Sequence, residues 1–130
     1  MYTTSEGREA LFDTKKNFSK YHPEIEPFVF QYKDGVEILN DGELIHLFEG
    51  NSMKVLFTPG HDVSCVSYVV DNNLFTGDSY IPGLKTVSTF PRSDKELALK
   101  STSLLKEMEK QGYNVFCGHQ SYNRLTRIKL

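Results

Sequence analysis

The 130-residue sequence predicts an α+β fold: a mostly antiparallel mixed sheet with helices packed on one face. Three observations carry that prediction. Between Phe28 and Gly77, short apolar, β-branched or aromatic runs alternate with turn clusters, the pattern of a meandering sheet. One well-patterned helix then opens at Ser93, and a last strand, Tyr113 to Cys117, follows it.

Taken in order, Ser5 to Asp13 reads as a short helix with Thr4 or Ser5 as its N-cap and Ala10, Leu11 and Phe12 on its apolar side. Thr14 to Pro27 carries Pro23 and Pro27 among polar residues, so an irregular surface connection is expected, with His22 solvated beside Pro23. Strands are expected at 28–32, 44–48, 53–57, 66–70 and 74–76, and Val36 to Ile38 alternates as a half-buried strand does. Asp34-Gly35, Asn40-Asp41-Gly42, Gly50-Asn51-Ser52 and Asp71-Asn72-Asn73 supply the turns. His46 alternates with Leu44 and Phe48, which predicts a partly buried sheet residue rather than a ligand. Ser79 to Arg92 has little periodicity and reads as a long loop following a candidate ligand. Ser93 and Glu96 form a capping box for a helix with Leu97, Leu104, Leu105 and Met108 on its apolar side, ending near Gln111-Gly112.

A chain of 130 residues fits a single domain, 1–130. With 38% hydrophobic residues, 25% charged residues and a net charge of −2, it reads as an ordinary globular chain and argues against nucleic acid as a partner. The start lacks a basic region followed by an apolar one, and no run approaches the ~18 apolar residues of a membrane span. No membrane association and a cytoplasmic location are the resulting expectations. Cys65 and Cys117 are too few for a disulfide framework, although one bridge is open. Arg124, Arg127 and Lys129 make a modest basic cluster whose default reading is a solvated end.

The chemistry gathers at strand ends. The run Val55-Leu56-Phe57 stops at Thr58-Pro59-Gly60, which delivers His61; Leu74-Phe75-Thr76 stops at Gly77, which delivers Asp78; and the last strand stops at Gly118, which delivers His119. Neutral imidazole and carboxylate are ordinary ligands for zinc and also suit iron or manganese. Each residue alone has a bland reading as a turn or capping residue. Their recurrence beside glycines is what singles them out.

The order T-P-G-H, L-F-T-G-D and then G-H resembles the second half of the metallo-β-lactamase superfamily fold, with agreement through essentially the whole chain. The resemblance implies an αβ/βα sandwich, of which this chain is one half. It also implies that His61 binds one metal, Asp78 bridges two, and His119 binds the second. The superfamily's leading motif, His-x-His-x-Asp-His, occurs nowhere in these 130 residues, so the chain looks like the C-terminal half, beginning after that motif's place. Zinc is the first metal expected, with iron or manganese next, and a chain that has kept the site's residues without binding any metal is the alternative. Each metal then has only two ligands here, and a single metal collecting His61, Asp78 and His119 is the other arrangement.

By resemblance the activity is hydrolysis of a small-molecule ester, thioester, amide or phosphoester by metal-activated water, with the lone chain inactive. The alternative is a non-catalytic remnant that acts by binding or assembly. Asp62 stands where relatives commonly have Thr; it is either a group supporting the ligands or a solvated turn residue, the second being the default. Cys117 precedes His119 by two, so in a continuing strand both would face one side, and it is a thiolate ligand, a group supporting the ligands, or a buried structural thiol, the last being the default. Losing one layer of a sandwich exposes the apolar faces of strands such as 53–57, 66–70 and 74–76. A homodimer, or pairing with the missing N-terminal half, is the expected remedy.

Overall fold

The computed structural model describes residues 1–119. The elements are β1 (Tyr2–Thr3), α1 (Ser5–Leu11), β2 (Glu37–Ile38), β3 (Leu44–Phe48), β4 (Asn51–Phe57), β5 (Val66–Val70), β6 (Asn73–Gly77), α2 (Lys95–Lys110) and β7 (Asn114–Cys117). Strands β3 to β7 form one sheet in sequence order. The first three pairings are antiparallel hairpin contacts, and β7 joins β6 in parallel after the α2 crossover. The turns obey local chemistry: Gly50 at φ +76° joins β3 to β4, and Asp71 at φ +51° opens the two-residue β5–β6 turn. The mixed, mostly antiparallel α+β arrangement is the one expected.

Alternation decides which side chains meet α2. The register pairs Leu56 with Ser67, Val69 with Leu74, and Leu74 with Val115. Leu74 and Leu105 are fully buried there and Tyr80 nearly so, with Leu56, Val69, Met108, Tyr113 and Val115 packed around them. Each such aliphatic side chain stabilises the fold by about 1.5–3 kcal/mol on burial. The same register puts Phe75 opposite Phe116 on the other face, where the two rings stack at 5.2 Å.

Helix α2 corrects the expected cap and face. Asp94, not Ser93, is the N-cap, accepting from the Leu97 amide at 2.9 Å, because the Ser93 hydroxyl is engaged elsewhere. Leu105 and Met108 face the sheet as expected, but Leu104 is 47% exposed, and the buried stripe runs Ala98, Ser101, Leu105. Close approach to the turn after β4 is the reason. A Cβ on Gly60 would lie 2.1 Å from the Ala98 nitrogen, and Ser101 Oγ donates to the Pro59 carbonyl at 2.7 Å. Only small residues fit that contact. The helix ends as predicted, with Gln111 at the C-cap and Gly112 at φ +102° beyond it.

The N-terminal third departs further. Thr4 caps α1 as expected. Residues 28–32 form no strand; Phe28 is held by Ser19 Oγ and Asn17 Nδ2, and the Phe30 amide donates to the Leu11 carbonyl. The apolar run is real but bonds to a loop and a helix end, not to a sheet. Likewise Asp34-Gly35 closes a 3₁₀ turn, and β2 is two exposed residues paired in parallel with β1. His46 is exposed, because β3 is an edge strand with only Ile45 half-buried. The basic residues Arg124, Arg127 and Lys129 lie outside the described residues.

Candidate metal centre

A buried hydroxyl cluster fixes the two turns that carry His61 and Asp78. Thr58 is completely buried after β4, and its Oγ1 lies 2.8 Å from Ser67 Oγ and 3.2 Å from Ser79 Oγ. Ser79 Oγ in turn donates to the Thr58 carbonyl at 2.9 Å, tying the turn after β6 to the turn after β4. Such interior hydroxyls are tolerated because every one is partnered. Gly60, at φ +134°, brings the chain against α2, where its carbonyl accepts from the Asp94 amide.

His61 is oriented from behind by the long loop. Its Nδ1 lies 2.8 Å from the Val87 carbonyl, which can only accept, so Nδ1 carries a proton, and in the neutral ring Nε2 is the nitrogen left with a lone pair. That Nε2 faces Asp78 Oδ2 at 3.7 Å. Ser93 Oγ donates to the His61 carbonyl at 2.5 Å, which explains why Ser93 does not cap α2. Phe90 stands edge-on to the imidazole at 5.8 Å.

Asp78 follows a bulge at Gly77, whose φ is +51°. The Gly118 amide donates to the Gly77 carbonyl at 2.8 Å, which draws the end of β7 under the carboxylate. A Cβ on Gly118 would sit 2.5 Å from Asp78 Oδ1, so glycine is required for the carboxylate to lie there. Oδ1 is buried without a hydrogen-bond partner among the described residues, while Oδ2 also faces His119 Nε2 at 3.3 Å. Thus Asp78 has a nitrogen on each side.

These donors fit a metal in pairs. Ligand atoms ~2.0–2.1 Å from a tetrahedral ion lie about 3.3–3.4 Å apart, close to the His119–Asp78 separation and a little shorter than the His61–Asp78 one. Among the described residues, no three His, Cys, Asp or Glu side chains form a group that could hold an ion. The donor chemistry, the two spacings and the orphaned Oδ1 suit two half-sites sharing one carboxylate.

Asp62 is not the solvated turn residue taken as the default. Arg92 Nε donates to its Oδ2 at 2.8 Å and Arg92 Nη2 to its Oδ1 at 3.0 Å, while the Ser64 amide and hydroxyl also donate to Oδ1. Burial pushes the carboxyl up, but the Arg92 and Ser64 hydrogen bonds together outweigh it and hold Asp62 below its usual value. Arg92 Nη2 also donates to the Glu6 carbonyl, joining α1 to this turn. The Cys117 thiol donates to the His119 carbonyl at 3.0 Å; β7 stops at Cys117, so the strand alternation that would have put the thiol beside the imidazole does not continue. Both cysteines are free, and burial pushes the Cys65 thiol up. His22 and His46 are exposed; neither is paired with Asp78 among the described residues, and His22 borders the cavity that also touches His61 and Phe90. Sequence reasoning missed Val87, whose contribution is a carbonyl that any residue supplies. It also missed the second task of Ser93, masked by a convincing capping pattern.

The sheet, its crossover helix and ligand-type residues at three strand ends define a metallo-β-lactamase-like half-sandwich. Comparison with solved structures agrees. The chain matches an archaeal metallo-β-lactamase superfamily protein from Sulfolobus tokodaii at 26% identity and a TM-score of 0.65, covering 92% of this chain and 51% of that one. It matches the BLEG-1 B3 metallo-β-lactamase at 22% identity and a TM-score of 0.73, over 92% and 57% respectively. TTHA1623, solved in a di-iron-bound form, matches at 20% identity and a TM-score of 0.64, again over 92% and 57%. No protein-family model matches, and no curated protein does. The resemblance read from the motifs is therefore upheld in the fold, and the chain spans about half the length of these matched structures. Among the described residues no helix is long and apolar enough to cross a membrane.

Proposed function

We propose that this chain, as a single domain, supplies the C-terminal half of a metal-dependent hydrolase of the metallo-β-lactamase type. His61 and Asp78 form one half-site, and His119 and Asp78 the other. The remaining ligands come from another segment, in the same polypeptide or in a partner. The observation that carries this reading is Asp78: one carboxylate oxygen lies between two imidazole nitrogens, and the other is buried and unpartnered. When bound, zinc, iron or manganese would lower the pKa of a coordinated water for attack on an ester, thioester, amide or phosphoester. The chain's own residues then have defined tasks. Val87 and Ser93 hold His61 with Nε2 forward, Cys117 steadies the His119 backbone, and Gly118 leaves room for the carboxylate.

With two ligands per metal, the lone chain has no substantial turnover. Purified chain supplied with zinc or manganese is to be assayed on model thioesters, lactams and phosphodiesters. Robust turnover abolished by Asp78→Ala would contradict the half-site reading.

A second reading, a non-catalytic module acting through assembly, is favoured by one observation. Phe75 and Phe116 remain 41% and 51% exposed on the sheet face away from α2. Closure of that face by a second copy of this chain suits this second reading, whereas closure by the complementary half suits the first. A cytoplasmic location belongs to the same proposal.

A further inference from the structure

A trench leads away from the ligand-bearing turns. A cavity of about 330 Å³ beside His61, Asp78 and His119 meets one of about 420 Å³ at His61 and Phe90. The second shares Phe18, Tyr21 and Phe90 with a third, of about 520 Å³, that reaches Lys15 and Arg92. Phe90 borders all three and is 53% exposed, and Tyr21 is 64% exposed. Phe18 holds φ at +65°, a costly conformation for a bulky residue and one that proteins concentrate at ligand clamps. The far end carries an exposed cation: Lys16 pairs with Glu9 and Arg92 with Asp62, while the Lys15 ammonium makes no direct ion pair among the described residues, its nearest carboxylate influence being Asp13, which its backbone amide and charge help hold below the usual value.

We infer that this trench binds an elongated substrate with an apolar aromatic or acyl body and an anionic end. The body lies along Phe90, Phe18 and Tyr21, and the anion reaches Lys15. The bond to be hydrolysed then falls at His61, Asp78 and His119, a placement that rests on the hydrolase reading, whereas the binding does not. Aromatic faces supply most of the affinity, and an exposed ammonium adds selectivity for charge.

The test uses 4-phenylbutyrate and its uncharged counterpart 4-phenylbutanol, titrated into the full chain and followed by chemical-shift changes. Both are expected to bind saturably. Phe90→Ala weakens both about tenfold. Lys15→Met weakens 4-phenylbutyrate about threefold and leaves 4-phenylbutanol unchanged. Phe116→Ser, on the open sheet face, changes neither. Circular dichroism checks each variant, with Phe90→Leu substituted if the alanine variant does not fold. Binding lost in Phe116→Ser but kept in Phe90→Ala would overturn the proposal, as would equal affinities for the two probes. Metal titration keeps the two failures apart: probe binding without metal binding leaves the trench standing and counts only against metal-holding half-sites in the lone chain, and metal binding without probe binding removes the trench and leaves the half-sites.

Discussion

Leu74 and Phe75 are neighbours in β6, yet the first is fully buried and the second is 41% exposed. They point to opposite faces of one sheet. The Leu74 face is closed by α2, through Leu105, Met108 and the tight Gly60–Ala98 contact. On the other face the stacked Phe75–Phe116 pair faces outward, uncovered by any described element to the same degree. The difference locates the buried core on one side and leaves the exposed Phe75–Phe116 pair, the surface on which the proposed assembly would act, on the other. The hydroxyl cluster and α2 also brace the turns that carry His61 and Asp78 from the closed side.

The largest effect expected on this contrast comes from the closed face. Leu105→Ala, which opens a cavity against Leu74, costs about 2–5 kcal/mol in urea unfolding. A loss under about 1 kcal/mol would mean that α2 is not the main prop.

Gly118→Ala sharpens the link between sheet and site. The added Cβ, 2.5 Å from Asp78 Oδ1 in the present geometry, displaces the carboxylate and weakens metal binding by about 10- to 100-fold, with the circular dichroism spectrum retained. Unchanged metal affinity would show that Oδ1 is not part of the site.

Arg92→Met probes the brace between α1 and the His61 turn, with an expected cost of about 1–2 kcal/mol at neutral pH after allowing for partial exposure. The folded-state value of Asp62 is depressed, so its contribution is complete above the unfolded value of about 3.9 and is lost as pH falls through the lower folded value. The stability gap between wild type and Arg92→Met is therefore expected to narrow below about pH 4. A gap that stays constant to the acid limit would assign the cost to packing.

The smallest effect on stability belongs to the open face. Phe75→Ser with Phe116→Ser leaves chain stability within about 0.5 kcal/mol yet reduces association in light scattering coupled to gel filtration. A well-folded wild-type monomer at micromolar concentration would show that this face is closed in another way.

What the sequence disclosed follows the same division. Strands 44–48 and 66–70 were legible to the residue because β-branched and aromatic runs sit between glycine and asparagine turns, and T-P-G-H, T-G-D and G-H marked the strand ends that bring His61 and His119 to Asp78. The run 28–32 has the same composition but pairs with Ser19, Asn17 and Leu11, a tertiary choice that local pattern does not encode. His46 misled because alternation cannot tell an edge strand from a central one. Asp62 looked like a turn residue because Arg92, its partner, lies thirty positions away.

Asp78, between the imidazoles of His61 and His119, is the centre of the proposed pair of half-sites. Its most direct test is calorimetric titration of zinc and manganese into wild type, His61→Ala, His119→Ala and Asp78→Ala. The account predicts saturable binding to wild type, weakened by either histidine substitution and removed by Asp78→Ala. Binding to Asp78→Ala as tight as to wild type would contradict it.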